Sequence, residues 1–301
     1  MSIYRYLLKK TIDLMYKVAY KINPRYASDI LYYWAFRKKQ NLNNPQNLIE
    51  KINWLQFNSD TSMWTLCADK YRVREYIDKC GLSDYLPKLY GHWERAEDID
   101  FDALPDEFVL KSNNGCGTVK IVRDKSRLDI PATRKLLNGW LKPYGYEGGQ
   151  SHYLRIKPCI IAEELLHQED EGDSPRSLTD YKVWCFGGKP ECILVIHDRV
   201  GRGYLMDMYD TKWERIPNSL KDNAHNGVVG EKAPKPACLQ QMLEMASTLA
   251  EPFEEVRADF YVINDKPVIG ELTFTSGYGN YTDSFYDYLG KKVDLSNVKK
   301  K

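Results

Sequence analysis

The sequence lacks the features of several common protein classes. Its 43 basic and 42 acidic residues leave a formal net charge of +1, so the basic excess of non-specific nucleic-acid binders is missing and no nucleic-acid partner is expected. The seven cysteines form no C-x-x-C pair, which argues against a disulfide framework or a zinc knuckle and favours a reducing cytoplasm. No apolar run reaches transmembrane length, and charged residues interrupt the start where a signal peptide needs an apolar core.

What the sequence does contain predicts an α+β chain. The pattern is helical from Asn44 to Gly81, and apolar residues alternate with a period of two beyond Pro105. Helices are also expected near 133–141 and 237–250. The predicted strands cover 107–111, 118–123, 158–166, 180–186, 191–197, 256–263 and 268–275. We divide the chain into a basic, tyrosine-rich helical extension (1–60), an N-terminal subdomain (61–157) and a C-terminal subdomain (158–301).

The first predicted helix carries one apolar stripe and ends before Pro24. The stripe comprises Leu8, Ile12, Met15, Ala19 and Ile22. Lysines occupy much of the remaining surface, which is the composition of a helix lying on an anionic membrane or against a partner. A helix packed on the chain's own core fits the same pattern and is favoured, because most such stripes face a core.

A phosphate-binding loop is one interpretation of the segment FVLKSNNGCGTVKIV. A strand ends at Lys111, and the loop that follows contains Asn113, Gly115 and Gly117. Small residues let backbone N–H groups approach phosphate oxygens, and the lysine adds a point charge. An ordinary Asn- and Gly-rich hairpin turn fits equally well. The sequence has neither the Walker A ending nor the third glycine of a dinucleotide fingerprint, so both of those phosphate-binding modes are disfavoured.

A predicted hairpin supplies a candidate magnesium site. If residues 264–266 form a three-residue loop, Asp259 lies opposite Glu271, with Arg257 and Thr273 on the same face. Opposed carboxylates repel each other unless a cation lies between them, and their oxygen atoms suit magnesium bound together with phosphates. A surface hairpin with a salt bridge from Arg257 is the alternative.

A third segment predicts contacts to a base and a ribose. Glu163 and Glu164 end an apolar strand, and Asp180 and Lys182 follow after a loop. Such an arrangement is able to hydrogen-bond a nucleoside in a cleft between two sheets.

Five segments occur in a characteristic order between residues 69 and 280: DKYRVREYI, FVLKSNNGCG, IIAEELL, DYKVW and R-x-D-x(11)-E-x-T-F-T-x-G-x-G. In this order they resemble the ATP-grasp superfamily, and most of all the branch similar to the teichuronopeptide-biosynthesis (TupA-like) proteins of bacterial surface polysaccharide synthesis. The resemblance implies an ATP-grasp fold, in which two α+β subdomains clasp ATP, with an N-terminal helical extension.

The resemblance also implies residue roles. Lys111 corresponds to the lysine on the α/β phosphates, and Lys70 or Arg74 to an upstream basic contact with ATP. Asp259 and Glu271 correspond to the magnesium ligands. Glu163 corresponds to the glutamate beside the adenine, with Leu165 and Leu166 next to it, and Asp180 corresponds to the ribose contact. Arg257 corresponds to the cation that stabilises the transition state. Arg199 and Arg202 lie in a basic loop that corresponds to the contact with the γ-phosphate or an acidic substrate. Thr273 departs from the family pattern, because many relatives place an asparagine there as a third metal ligand.

The implied activity is ligation. ATP phosphorylates a carboxylate and an amine attacks the acyl phosphate; a uronic acid and an amino acid are the pairing that the polysaccharide branch implies. The expected cofactors are ATP and Mg²⁺, in the cytoplasm or at the inner face of the plasma membrane. Two alternatives remain. One is a nucleotide-sugar glycosyltransferase that uses Asp98, Asp100 and Asp102 as a D-x-D motif, and the other is an inactive nucleotide-binding scaffold that docks on a membrane.

Overall fold

The computed structural model describes residues 3–167, 178–200, 203–221, 228–229 and 233–301. Over these residues the strands form a four-stranded sheet and a six-stranded sheet, with helices packed against both. The strand order is β1-β4-β2-β3 in the first sheet and β10-β9-β5-β6-β7-β8 in the second. All described pairings are antiparallel except β7 with β8, so the predicted α+β class is confirmed.

The elements have the following bounds. The described helices are α1 Ile3–Ile22, α2 Pro24–Phe36, α3 Leu48–Asn58, α4 Ser62–Ala68, α5 Val73–Lys79, α6 Ile130–Trp140, α7 Ser151–Leu154, α8 Leu239–Ala250 and α9 Asp283–Lys292. The described strands are β1 Leu89–Trp93, β2 Phe108–Ser112, β3 Val119–Val122, β4 Ile160–Glu163, β5 Asp180–Phe186, β6 Lys189–Val200, β7 Gly203–Asp210, β8 Val228–Val229, β9 Glu255–Ile263 and β10 Lys266–Thr273.

Most predicted elements are present, and three described strands, β1, β7 and the two-residue β8, are not in the sequence prediction. β1 contains a glycine and a histidine within five half-exposed residues, so it has no alternating apolar pattern to reveal it. β7 pairs with β6 along most of its length and is fixed by that pairing. β4 begins after residue 158 and yet belongs to the first sheet, between β1 and β2. The subdomain boundary at 158 stays a prediction.

Each sheet has its own apolar core. Phe108, Leu110, Ile160 and Ala162 of the first sheet pack with Leu137 of α6. The second sheet packs on α8, and α3 contributes to the same core, so residues 48–58 of the predicted helical extension are part of the main fold. The residues of α3 in this core are Leu48, Ile49, Ile52 and Leu55.

The apolar stripe of α1 does not face this core, so the favoured interpretation of it was wrong. Of the five stripe residues only Ala19 is buried, and it packs with Tyr16 and with Ala27 of α2. The helix does end where Pro24 predicts, because Asn23 caps α2 by accepting a hydrogen bond from the backbone N–H of Arg25 at 2.9 Å. The stripe members left exposed are Leu8, Ile12, Met15 and Ile22.

In the hairpin of β9 and β10, Asp259 lies opposite Glu271 as predicted, but the turn that joins the strands differs from the predicted one. The turn contains two residues, not three: Asn264 and Asp265 both have positive φ, at 50° and 59°, and Lys266 pairs with Ile263. Positive φ at both positions is the geometry of a type I′ turn, which suits the twist of a hairpin. A bulge between Ile269 and Glu271 then shifts the register by one residue and places Glu271 opposite Asp259.

Candidate active site

Three neighbouring strands of the second sheet bring the charged residues into two rows. Lys182 on β5 lies opposite Asp259 on β9, which lies opposite Glu271 on β10. Two residues earlier on β9, Arg257 lies opposite Thr273 of β10. Because side chains alternate between the faces of a sheet, these five share one face. The predicted juxtaposition of the two carboxylates with Arg257 and Thr273 is therefore present in the structure.

Asp259 is held by two cations. Arg257 donates from Nε to Oδ1 and from Nη2 to Oδ2 of Asp259, both at 2.7 Å, and Lys182 Nζ donates to Oδ2 at 2.5 Å. The Asp259 side chain is only 4% exposed, so its charge depends on these partners. Burial lowers the pKa of Arg257, but Asp259 outweighs that effect and raises it above its ordinary value. Arg257 Nη1 also donates to the Ser276 hydroxyl.

Glu271 is the more accessible carboxylate. Its side chain is 36% exposed, and Lys70 Nζ lies 3.2 Å from Oε2 while Arg257 Nη2 lies 3.7 Å from Oε1. Burial raises the pKa of Glu271, but Lys70, Lys182 and Arg257 outweigh it and lower the pKa to about 2. Glu271 is therefore ionised at neutral pH and partly open to solvent.

Lys70 joins the second sheet to the glycine-containing loop. Its Nζ, beside Glu271, donates to the carbonyl of Gly115 at 2.9 Å, and its backbone N–H donates to the carbonyl of Asn113 at 2.9 Å. The loop and the carboxylate pair are therefore adjacent in space, although the sequence separates them by more than 140 residues.

Hydrogen bonds and packing fix the shape of the glycine-containing loop. Ser112 Oγ lies 2.6 Å from the hydroxyl of Thr118, which closes the loop at its base. Gly115 has φ of 90°, and a Cβ there would lie 3.1 Å from the ring of Tyr144, so only glycine fits without strain. Asn113 is buried and donates from Nδ2 to the Lys157 carbonyl at 3.0 Å, so its side chain anchors the loop. Gly117, also predicted to bind phosphate, has φ of 73°.

The first sheet contributes a second charged cluster. Glu163 at the end of β4 accepts from Lys111 Nζ at 2.7 Å and from Arg74 Nη2 at 2.6 Å. Burial raises the pKa of Glu163, but Lys111 and Arg74 outweigh it, and the net shift is downward. The structure thus brings together three predicted nucleotide-binding residues in one ion-pair cluster.

The other residues predicted to contact the nucleotide differ in their burial and in their contacts. Glu164 is exposed, and its carboxylate accepts from the backbone N–H of Lys88 at 3.2 Å. Leu165 is buried and Leu166 is half-buried. Asp180 is buried, with Oδ2 at 3.7 Å from Lys182 Nζ.

The basic loop that was predicted to hold the γ-phosphate or an acidic substrate cannot be placed. Arg199 lies on β6, but its side chain is outside the described part of the structure, and Arg202 lies outside the described residues altogether.

The acidic residues considered as a D-x-D motif serve local structure. Asp98 forms an ion pair with Arg95, and Asp100 Oδ1 accepts from the backbone N–H groups of Asp102 and Ala103 at 3.1 and 3.4 Å. Side chains that cap a turn in this way are ordinary turn residues.

Two residues beside the site were missed from sequence. Ser276 accepts the hydrogen bond from Arg257, and Tyr144 packs against Gly115. Ser276 belongs to the T-x-G-x-G part of the motif, so its position after β10 was the available signal. Tyr144 follows no motif. Burial raises the pKa of Tyr144 to about 12, so this hydroxyl stays protonated.

The oxygen atoms of two carboxylates are the possible metal ligands at this site. Asp259 and Glu271 supply carboxylate oxygen atoms on one face, and in the part of the chain that the structure describes no cluster of three His, Cys, Asp or Glu residues could hold a metal ion. The Thr273 hydroxyl accepts from Arg257 Nη2 and donates to Glu271 Oε1, both at 3.3 Å. Two carboxylates fit a magnesium ion that takes its other ligands from phosphates and water.

Comparison with known protein families agrees with the resemblance seen in the sequence. The model of the TupA-like ATPgrasp family matches residues 50–294, which is more than half of the chain. No curated protein matches.

Several solved structures are similar to parts of the chain. The D-alanine–D-alanine ligase from Bacillus anthracis complexed with ATP has 17% identity and a TM-score of 0.46, and the match covers 73% of this chain and 59% of that one. The ADP complex of PurK, N5-carboxyaminoimidazole ribonucleotide synthetase, has 14% identity and a TM-score of 0.45, covering 76% and 51%. The ATP-grasp ligase PsnB complexed with minimal precursor, Mg and ADP has 14% identity and a TM-score of 0.40, covering 72% and 52%. The chain spans less than two thirds of the length of each of these three.

Proposed function

The chain belongs to the TupA-like ATP-grasp family, and we propose that it is an ATP- and Mg²⁺-dependent ligase that joins a carboxylate to an amine. The observation that supports this most is the row of Lys182, Asp259 and Glu271 on one face of the second sheet, with Lys70 connecting Glu271 to the Gly115 loop. Cations and metal-binding carboxylates gathered at one place are what phosphoryl transfer requires.

Each group has a task in this proposal. Asp259 and Glu271 would hold Mg²⁺, which would supply positive charge at the phosphates of bound ATP. Lys70 and Lys111 bind phosphate oxygens. Arg257, fixed by its two hydrogen bonds to Asp259, stabilises the negative charge that develops at the reacting centre.

The proposed reaction has two steps. An oxygen of the substrate carboxylate attacks the terminal phosphorus of ATP, and ADP leaves. The amine nitrogen then attacks the carbonyl carbon of the acyl phosphate, the bond to the phosphate oxygen breaks, and phosphate and one proton are released. The products are ADP, phosphate and an amide.

The substrate class follows from the branch of the family that the sequence resembles. A uronic acid of a bacterial surface polysaccharide, or of its precursor, is the proposed carboxylate, and an amino acid is the proposed amine. The abundance of cations around the cleft agrees with two anionic ligands, ATP and an acid.

Hydroxylamine trapping tests the proposed reaction. The protein is incubated with Mg-ATP, hydroxylamine and single uronic or amino acids, and the products are identified by mass spectrometry. The expected result is a hydroxamate of the acid that supplies the carboxylate, with stoichiometric ADP and phosphate. Formation of AMP and pyrophosphate, or of a stable phosphorylated sugar hydroxyl, would contradict the ligase assignment. A preparation of the Glu271→Gln variant serves as the control for contaminating enzymes.

A further inference from the structure

Helix α1 presents a broad apolar face that no described residue covers. At 100° per residue, six large apolar side chains fall within an arc of about 160°. Each is between 39% and 70% exposed. They are Leu8, Ile12, Leu14, Met15, Val18 and Ile22. Exposed apolar residues are usually scattered singly, so a face of six marks an interaction surface.

A few residues at one edge of this arc and beside it hold the helix in place. Tyr16 and Ala19 are buried against α2, and the ring of Tyr20 meets that of Tyr146 edge to face at 5.4 Å. The Tyr20 hydroxyl also lies 3.0 Å from Ser151 Oγ. The six large apolar side chains stay exposed because α1 packs through Tyr16, Ala19 and Tyr20 instead.

The charge around this face is strongly one-sided. Residues 1–40 contain nine basic and two acidic side chains, a net charge of +7, whereas the whole chain carries +1, so residues 41–301 carry −6. On α1, the exposed side chains of Lys17 and Lys21 lie along one border of the apolar arc. The next helix, α2, also carries three exposed aromatic residues: Tyr26, Tyr33 and Trp34. Tyrosine and tryptophan favour positions where an apolar phase meets water.

We propose that this face of α1 docks on an anionic phospholipid membrane, with the helix lying in the plane of the membrane surface. Apolar side chains bordered by lysines match the acyl chains and the negative headgroups respectively. No helix in the described part of the chain is long and apolar enough to cross a membrane, which leaves a surface position for α1. A second copy of the chain fits less well, because a symmetric contact would bring two segments of net +7 together.

Docking through α1 would place the candidate active site close to the membrane. Tyr20 packs on Tyr146, and Tyr144, two residues earlier, packs on Gly115 of the loop beside Lys70. An acceptor held at the membrane surface would then lie near the site. The docking surface itself does not depend on the ligase assignment.

Vesicle co-sedimentation of the full chain tests this proposal. Vesicles of phosphatidylcholine are compared with vesicles of equal parts phosphatidylcholine and phosphatidylglycerol. The chain is expected to sediment with the anionic vesicles and to be released by high salt. The variant Leu14→Glu/Val18→Glu should bind at least about tenfold more weakly, because both exposed side chains lose contact with lipid and add negative charge.

A matched control separates the surface from a general charge effect. Ile121→Glu/Leu136→Glu replaces two other exposed apolar residues, 51% and 43% exposed, and makes the same change in net charge. It should bind as the unaltered chain does. Equal binding by the Leu14/Val18 variant, or equal binding to neutral vesicles, would overturn the proposal.

Light scattering without vesicles identifies the alternative occupant. A dimer that the Leu14/Val18 changes convert to a monomer would show that the face joins two copies, and this result would also overturn the proposal. Circular dichroism checks that each variant is folded, and ligase activity with soluble substrates should be unchanged in all of them.

Discussion

Asp259 and Glu271 look equivalent in the sequence, but their burial predicts that their amide variants will behave differently. Asp259→Asn and Glu271→Gln should both reduce Mg²⁺-dependent ADP formation by about a hundredfold or more, because each removes a charged side chain that we propose as a ligand for the metal. Only Asp259→Asn should also destabilise the fold. The side chain of Asp259 is 4% exposed and that of Glu271 is 36% exposed.

The expected loss of stability in each variant follows from the contacts of Asp259 and of Glu271. Asp259 accepts two hydrogen bonds from Arg257 and one from Lys182, and the Arg257 side chain is itself only 11% exposed. Removing one member of a buried ion pair costs about 3–5 kcal/mol, because the other charge stays buried. Glu271 interacts with Lys70 and is 36% exposed, so solvent screens the pair and its loss should cost about 1 kcal/mol or less.

Urea unfolding followed by circular dichroism, without nucleotide and near neutral pH, measures both stabilities. Asp283→Asn is the matched control, because it removes the same charge from a side chain that is 73% exposed, and it should cost no more than about 0.5 kcal/mol. The reasoning is refuted if Asp259→Asn is as stable as the unaltered chain, or if Glu271→Gln is equally destabilised.

Two further predictions concern Lys111 and His152. Lys111→Met should weaken ATP binding, measured by calorimetry, about tenfold. It should also lower the melting temperature slightly, because Glu163 then keeps only Arg74 as an ion-pair partner. The control Lys135→Met, on the exposed surface of α6, should change neither ATP binding nor the melting temperature. His152 is fully buried, and neither ring nitrogen has a hydrogen-bond partner among the described residues. Burial, aided by Arg155, lowers its pKa from 6.5 to about 3. The unfolded chain therefore takes up the proton first as the pH falls below 6.5, and about 2 kcal/mol of stability should be lost by about pH 5. His152→Leu should lack that part of the pH dependence in urea titrations, and an unchanged dependence would contradict the assignment.

The sequence by itself determined the local features of the site. Alternation along β9 and β10 predicted that Arg257, Asp259, Glu271 and Thr273 share a face, because the period of a strand is a property of the backbone. The family resemblance read from five ordered segments is confirmed by the match over residues 50–294. The predicted number of residues in the hairpin loop was nevertheless wrong, because a two-residue turn and a bulge together give the same register as a three-residue loop.

The tertiary structure alone decided which charges neutralise one another and which apolar face is covered. The contacts of Lys70 with Glu271 and of Arg74 with Glu163 join residues far apart in the chain, so no local period encodes them. The stripe of α1 illustrates the same limit. Helical periodicity shows which side of a helix is apolar, but whether that side is buried depends on what packs against it, and α2 covers only Ala19 of the stripe.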